Sequence, residues 1–86
     1  MSSIDTLRDF IIRELHWSGK ASDLTNDYPL ITGHVIDSLG LLSLKWFLEE
    51  EFGVEVALED LVPDNFATLD KIAALIEKKK GVIKNA

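Results

Sequence analysis

The sequence predicts an all-α fold: a four-helix bundle with a long loop between helices 1 and 2 and a short third helix. Three observations carry that expectation. Apolar residues recur at three-to-four residue spacing in an opening and a closing segment, as a buried helical face requires. A breaker-rich stretch separates the opening segment from the middle of the chain. Residues 37–52, DSLGLLSLKWFLEEEF, carry two apolar stripes on one helix. At about 100° per residue, Leu41, Leu44, Leu48 and Phe52 fall on one face, while Leu39, Leu42 and Trp46 fall roughly opposite. A surface helix needs only the first stripe. The second must be covered by other helices of the domain or by a partner.

Taken in order, Ser2 or Ser3 offers a cap to the first helix, and Ile4, Leu7, Ile11 and Leu15, with Phe10 beside them, give it a buried face. Gly19 is expected to end it. His16 and Trp17 near that end are read as packing or dipole complementation rather than a binding pair. Across residues 18–36, Asp23, Thr25, Asn26, Asp27, Pro29 and Gly33 are turn residues, and Leu24, Tyr28, Leu30, Ile31, Val35 and Ile36 are spaced too irregularly for a helix or a strand. A structureless connection of this length usually has a job, and its apolar residues are expected to pin it across the bundle as a long crossover.

Asp37 offers a carboxylate to the free amides of the next helix start, with Ser38 as the first helical residue. Gly53 breaks that helix. Residues 59–62 are expected to make the short third helix, closed by Pro63, with Phe66 dropping into the core. Thr68 caps the last helix, whose buried face is Leu69, Ile72, Ala73 and Ile76 with Leu75 close by. Lys78, Lys79 and Lys80 suit the C-terminal dipole and read as a solvated helix end. Gly81 is expected to stop the helix, and the final residues to fray.

Composition excludes several function classes. With 86 residues, 47% of them hydrophobic, the chain buries one modest core, so a single domain over residues 1–86 is expected. There is no cysteine, hence no disulfide, thiolate nucleophile or cysteine-based zinc site. Paired histidines at metal-ligand spacing and a Gly-rich phosphate loop are missing too, and no metal site is expected. No apolar run is long enough to span a bilayer, and residues 1–10 lack a basic region followed by a long apolar core, so a cytoplasmic protein with no membrane role is expected. The net charge of −6 argues against nucleic acid as a ligand and for a basic protein surface as partner. Glu49 and Glu50 lie toward the second apolar stripe, where they would steer such a partner.

Ser38 has His34 and Asp37 near it in sequence, but acyl-transfer catalysis needs an oriented base and a substrate pocket. No strand-to-helix nucleophile elbow is present, and so small a domain leaves little room for a pocket. No catalytic residue and no enzyme activity are expected.

The Asp37-Ser38-Leu39 motif, preceded by Ile36 and followed by the run from Phe47 through Leu48, Glu49, Glu50, Glu51, Phe52 and Gly53 to Val54, resembles the acyl carrier proteins and related aminoacyl carrier domains. The likeness covers nearly the whole chain, including Asp27-Tyr28-Pro29-Leu30 in the long loop and the region near Glu59, Asp60 and Leu61. The resemblance implies that Ser38 is an attachment point: a phosphopantetheinyl transferase uses coenzyme A and magnesium to place 4′-phosphopantetheine on its oxygen, and the thiol of the arm carries an acyl group as a thioester. Asp37 is carried over as the neighbouring acid, capping the helix or helping position the transferase's metal. Leu39, Leu42, Trp46, Glu49 and Glu50 become the surface for partner enzymes, and a monomer is expected.

Departures from the pattern narrow the expectation. Carriers of fatty-acid synthesis usually place an acid directly after the Asp-Ser-Leu and another three positions on, where this chain has Gly40 and Ser43, and Lys45 adds a positive charge. The resemblance is closer to discrete carriers that pair with an adenylating enzyme in secondary metabolism or cell-envelope chemistry. Those often have a Gly three residues before the Asp; here His34 stands there and Gly33 one earlier. The resulting expectation is a thioester carrier loaded by an adenylating enzyme and unloaded by downstream acceptor enzymes. The alternative is an unmodified helical interaction module that uses the second stripe as its docking surface.

Overall fold

A computed structural model describes residues 3–15 and 17–84 of the chain. Among them it is all-helical, with three α-helices, α1 (Ser3–Glu14), α2 (Ser38–Phe52) and α3 (Leu69–Lys84), joined by connections that contain short 3-10 turns. Ser2 and His16, both singled out in the sequence, lie outside the described residues.

Leu7, Phe10 and Ile11 of α1 are buried, and α1 packs on α3 through this face. The helix ends at Glu14 and not at Gly19. The sequence pattern misleads here because Trp17 leaves the helical path to meet Tyr28 edge to face, ring centroids 5.0 Å apart, while its indole N–H donates to the Lys20 carbonyl at 2.8 Å. Trp17 is packed against the core edge, as a packing residue should be.

The long connection contains a 3-10 turn at Ala21–Asp23, and three of its apolar residues, Leu24, Leu30 and Ile36, are buried. Its polar backbone is satisfied by neighbouring elements: the Leu30 N–H donates to Ala67 at 2.8 Å, and the Asp70 N–H donates to Asn26 at 3.1 Å. From α1, the Arg8 guanidinium donates to the Leu24 carbonyl at 2.9 Å and to the Asn26 side chain. The connection is therefore pinned against α1 and the start of α3, as its scattered apolar residues suggest. Its tightest point is Gly33, where a Cβ would stand 2.5 Å from the Pro29 carbonyl oxygen.

Leu44 and Leu48 of α2 are fully buried, with Leu41, Phe47 and Phe52 partly buried against the same core. Phe47 stacks on Phe10 of α1 at 4.1 Å between centroids. Gly53 closes α2 in the left-handed region at φ 66°, its N–H donating to Glu49. That conformation costs an L-residue with a side chain roughly 1–2 kcal/mol.

The short third helix expected at 59–62 takes the form of two 3-10 turns, Leu58–Asp60 and Pro63–Phe66. Two causes separate them, one distant in sequence and one local. The Asp60 carboxylate accepts the Ala57 N–H at 2.9 Å and the Lys79 ammonium at 2.6 Å, which anchors the first turn. Pro63, with no N–H to give, opens the second instead of closing the first. Phe66 is fully buried, and the second turn packs on α3.

Thr68 caps α3, its hydroxyl accepting the Lys71 N–H at 3.1 Å, and Leu69, Ile72, Leu75 and Ile76 face the core. The helix runs through Gly81 to Lys84, because one glycine inside a helix costs only about 1 kcal/mol. The lysine run is not wholly a solvated end either. Lys79 is paired to Asp60, and Lys80 stands 5.7 Å above the Phe52 ring. Among the described residues no helix is long and apolar enough to cross a membrane.

Candidate functional site

The start of α2 is built by Asp37 and presents Ser38. The extended backbone of Asp37 (φ −105°, ψ −170°) turns its carboxylate back over the helix, where Oδ1 accepts the Gly40 N–H at 2.7 Å, and its carbonyl accepts the Leu41 N–H at 2.9 Å. Asp37 therefore performs the capping. The Ser38 side chain is left exposed on the first residue of a 15-residue helix. The N–H groups of Ser38 and Leu39 lie in the first turn, with no helical carbonyl four residues before them, so they face incoming charge at the positive end of the helix dipole.

Gly40 keeps this start tight. It is buried, and a Cβ there would meet Asp37 Oδ1 at 3.2 Å, Ile36 Cγ2 at 3.5 Å and Leu15 Cδ2 at 3.6 Å. The residue at this position is thus turned inward, toward Leu15 just past α1. An open cleft of ≈320 Å³ lies beside the start of α2, lined by Glu14, Leu15 and Val35 with Asp37, Leu39, Gly40 and Ser43. The residues fit a phosphodiester-linked arm: an exposed hydroxyl, outward amides at the positive end of a long helix, and open space beside them.

Away from Ser38, the second stripe is uncovered. Leu39 is 74% exposed, Trp46 62% and Leu42 39%, so the long connection does not fold over them. The two glutamates below the stripe differ. Glu50 is exposed. The Glu49 carboxylate is engaged internally, accepting the Val56 N–H at 3.1 Å and the Lys45 ammonium at 3.1 and 3.2 Å. Those two contacts, the amide first and the ammonium second, hold the Glu49 carboxyl below the usual carboxylate range. Lys45 is thereby paired within α2, and Glu49 ties the segment after Gly53 to the helix.

Two features escape sequence reasoning. Leu58 and Val62 are exposed apolar residues on the 3-10 segment after α2, and no periodicity marks so short an element. The Glu49 to Val56 bond joins a side chain to a backbone seven positions away, which leaves no trace in residue type. His34, at φ 61°, lines a separate hollow with Trp17 and Tyr28, and no hydrogen bond among the described residues ties it to Ser38.

Comparison with known proteins follows the same outline. The family model described as the phosphopantetheine attachment site matches residues 5–76. The chain is similar to an acyl carrier protein of Solidesulfovibrio magneticus, 32% identical over 81 residues, covering 94% of this chain and 99% of that protein. It is also similar to the probable acyl carrier protein PigG of Serratia sp., 31% identical over 63 residues, covering 73% of this chain and 72% of that protein. Members of this family are carriers rather than catalysts, and their prosthetic group is 4′-phosphopantetheine. With a model match spanning most of the chain and a start of α2 that suits the group, the chain belongs to the phosphopantetheine-bearing acyl carrier protein family.

Proposed function

We propose that the Ser38 oxygen is the attachment point for 4′-phosphopantetheine, and that the protein carries a small acid or amino acid as a thioester in a specialised pathway. The observation that supports this most is the division of labour at the start of α2. Asp37 satisfies the Gly40 amide at 2.7 Å, so the Ser38 hydroxyl is not needed as a cap and stays exposed. During modification the serine oxygen forms a bond to the phosphorus of coenzyme A, and the bond to the bisphosphoadenosine leaving group breaks. The serine proton passes to a base of the transferase. The bound arm supplies a thiol for thioester chemistry.

The chain's own residues then orient the linkage. The outward amides of Ser38 and Leu39 favour the phosphodiester charge. Leu39, Leu42 and Trp46, with Glu50 beyond them, form the face on which the transferase, the adenylating loading enzyme and downstream acceptors settle. Exposed aromatic and apolar anchors suit that role, and Glu50 attracts basic partners. Glu49 contributes by pairing with Lys45 and so neutralising its charge. The place of action is the cytoplasm, as a monomeric single carrier domain over residues 1–86 in which the two 3-10 turns stand for the third helix of a four-helix bundle.

The cargo class rests on Gly40, buried where a fatty-acid carrier has an acid, and on Ser43 and Lys45. Protein isolated from its native cell, with the arm and cargo released and weighed, tests the reading. A small acid or amino acid is expected. Long acyl chains of graded length would overturn the cargo assignment, and protein bearing no arm at all would favour an unmodified docking module built on the same exposed stripe.

A further inference from the structure

A second hollow, of ≈430 Å³ and open to solvent, shares two lining side chains with the cleft beside Ser38. Trp17, Tyr28, Asp23 and His34 line it, together with Leu15 and Val35. Leu15 and Val35 also line the cleft that holds Asp37 and Leu39, so these two side chains border both spaces. The aromatic wall is a built feature. Trp17 and Tyr28 meet at 5.0 Å in an edge-to-face pair, and the Trp17 indole is fixed by its bond to the Lys20 carbonyl. Each ring lies close to a glycine that also lines the hollow: a Cβ at Gly19 would stand 3.0 Å from Trp17 Cζ2, and one at Gly33 3.2 Å from Tyr28 Cε1.

The charge of this path is one-sided. Asp23 lines the hollow, Glu14 and Asp37 line the cleft, and among the described residues no lysine or arginine lines either. Two aromatic rings and a carboxylate in the hollow, with two more carboxylates in the neighbouring cleft, suit a small cation better than an anion or a long apolar tail. Aromatic faces and carboxylates both stabilise an ammonium group. An amino acid with an uncharged side chain, joined as a thioester, has lost its carboxylate charge and keeps its α-ammonium, so its net charge is positive. The hollow is within the volume range of small-ligand sites.

We propose that this hollow receives an α-aminoacyl group carried on Ser38, with the ammonium set against Asp23 and the Trp17 and Tyr28 rings. The inference rests on the carrier reading above and names the cargo class for that site. Seating the amino group there removes the thioester from free solution between encounters and distinguishes an aminoacyl cargo from a neutral acyl group of the same shape.

The test loads the full-length protein with two coenzyme A analogues through a broad-specificity phosphopantetheinyl transferase. One carries an alanyl group and the other isobutyryl, which replaces the ammonium by a methyl; both are joined through a stable amide. Amide and indole proton–nitrogen spectra of each product are compared with those of the unloaded arm. The alanyl form is expected to shift the Trp17 indole N–H and the Gly19 and Gly33 amides several-fold more than the isobutyryl form, with the exposed Trp46 indole unmoved. Asp23→Asn, a substitution at an exposed position, is expected to bring the alanyl shifts down to the isobutyryl level. Equal shifts for the two cargoes, shifts confined to other surfaces, or an unchanged pattern in Asp23→Asn would overturn the inference while leaving the carrier reading intact. Failure of both analogues to become attached, checked by intact mass, would overturn the carrier reading and this inference with it.

Discussion

Truncating each of the two stripes of α2 separates core from docking surface. Leu48 is fully buried on the inner stripe. Leu48→Ala removes its transfer free energy and leaves a cavity, a loss of roughly 2–5 kcal/mol. Set against a total stability of about 4–13 kcal/mol expected for a domain of this length, that is a large fraction. Trp46 is 62% exposed, so about two fifths of its side chain is covered. Covering that share of a ring system of about 200 Å² is worth at most about 2 kcal/mol at ~25 cal/mol per Å². Part of the covering is the helix itself, and alanine gains about 0.5 kcal/mol in helix propensity. The net cost of Trp46→Ala should therefore stay below about 1 kcal/mol. Urea unfolding followed by far-ultraviolet circular dichroism measures both. Leu48→Ala should lower the midpoint sharply and Trp46→Ala slightly, while Trp46→Ala slows modification by the transferase. Equal stability losses would place Trp46 in the core and remove the proposed docking face.

Three further outcomes are expected. Asp37→Ala should cost about 0.5–2 kcal/mol of stability through loss of the bond to the Gly40 amide, whereas Ser38→Ala should cost less; the reverse order in urea melts would make Ser38 the cap. Gly33→Ala should destabilise by about 1–3 kcal/mol, because its Cβ would sit 2.5 Å from a backbone oxygen that cannot swing away; an unchanged unfolding midpoint would contradict this. The Asp60 carboxyl is held below its usual range first by the Lys79 ammonium and also by the Ala57 amide, and Glu49 is held down likewise by Val56 and Lys45. A lowered folded-state pKa means that the unfolded chain binds the proton first. The stabilisation is then complete above the ordinary carboxylate values near 4 and is lost as pH falls through them toward the folded-state values. Midpoints measured from neutral to acid pH should fall below about pH 4.5, with a smaller fall in Asp60→Asn; parallel curves for the two proteins would refute the assignment.

Elements governed by local pattern were legible in the sequence, and those governed by distant partners were not. The core face of α2, the Asp37 and Thr68 caps and the Gly53 stop follow from side-chain spacing and from what a carboxylate, a hydroxyl or a missing Cβ does at a helix end. The exposure of Leu39, Leu42 and Trp46 follows from the same geometry once the inner stripe is committed to the core. By contrast, α1 ends early because Trp17 reaches Tyr28 eleven positions on, and the third helix divides because Lys79 reaches back to Asp60. Gly81 is carried through by the helix around it. At the site, Ser38 and Asp37 were visible as a motif. The inward turn of Gly40 toward Leu15 and the engagement of Glu49 by Val56 depend on tertiary contact and left no mark on composition or spacing.

The central claim is that one serine oxygen at the start of α2 carries the arm. Intact-mass analysis after incubation with coenzyme A and a phosphopantetheinyl transferase, on wild type and on Ser38→Ala of equal helicity, tests it most directly. The account predicts one added phosphopantetheine on the wild type, mapped by fragmentation to Ser38, and none on the variant. Modification of Ser38→Ala, or an unmodified wild type under conditions that convert a known carrier, would contradict it.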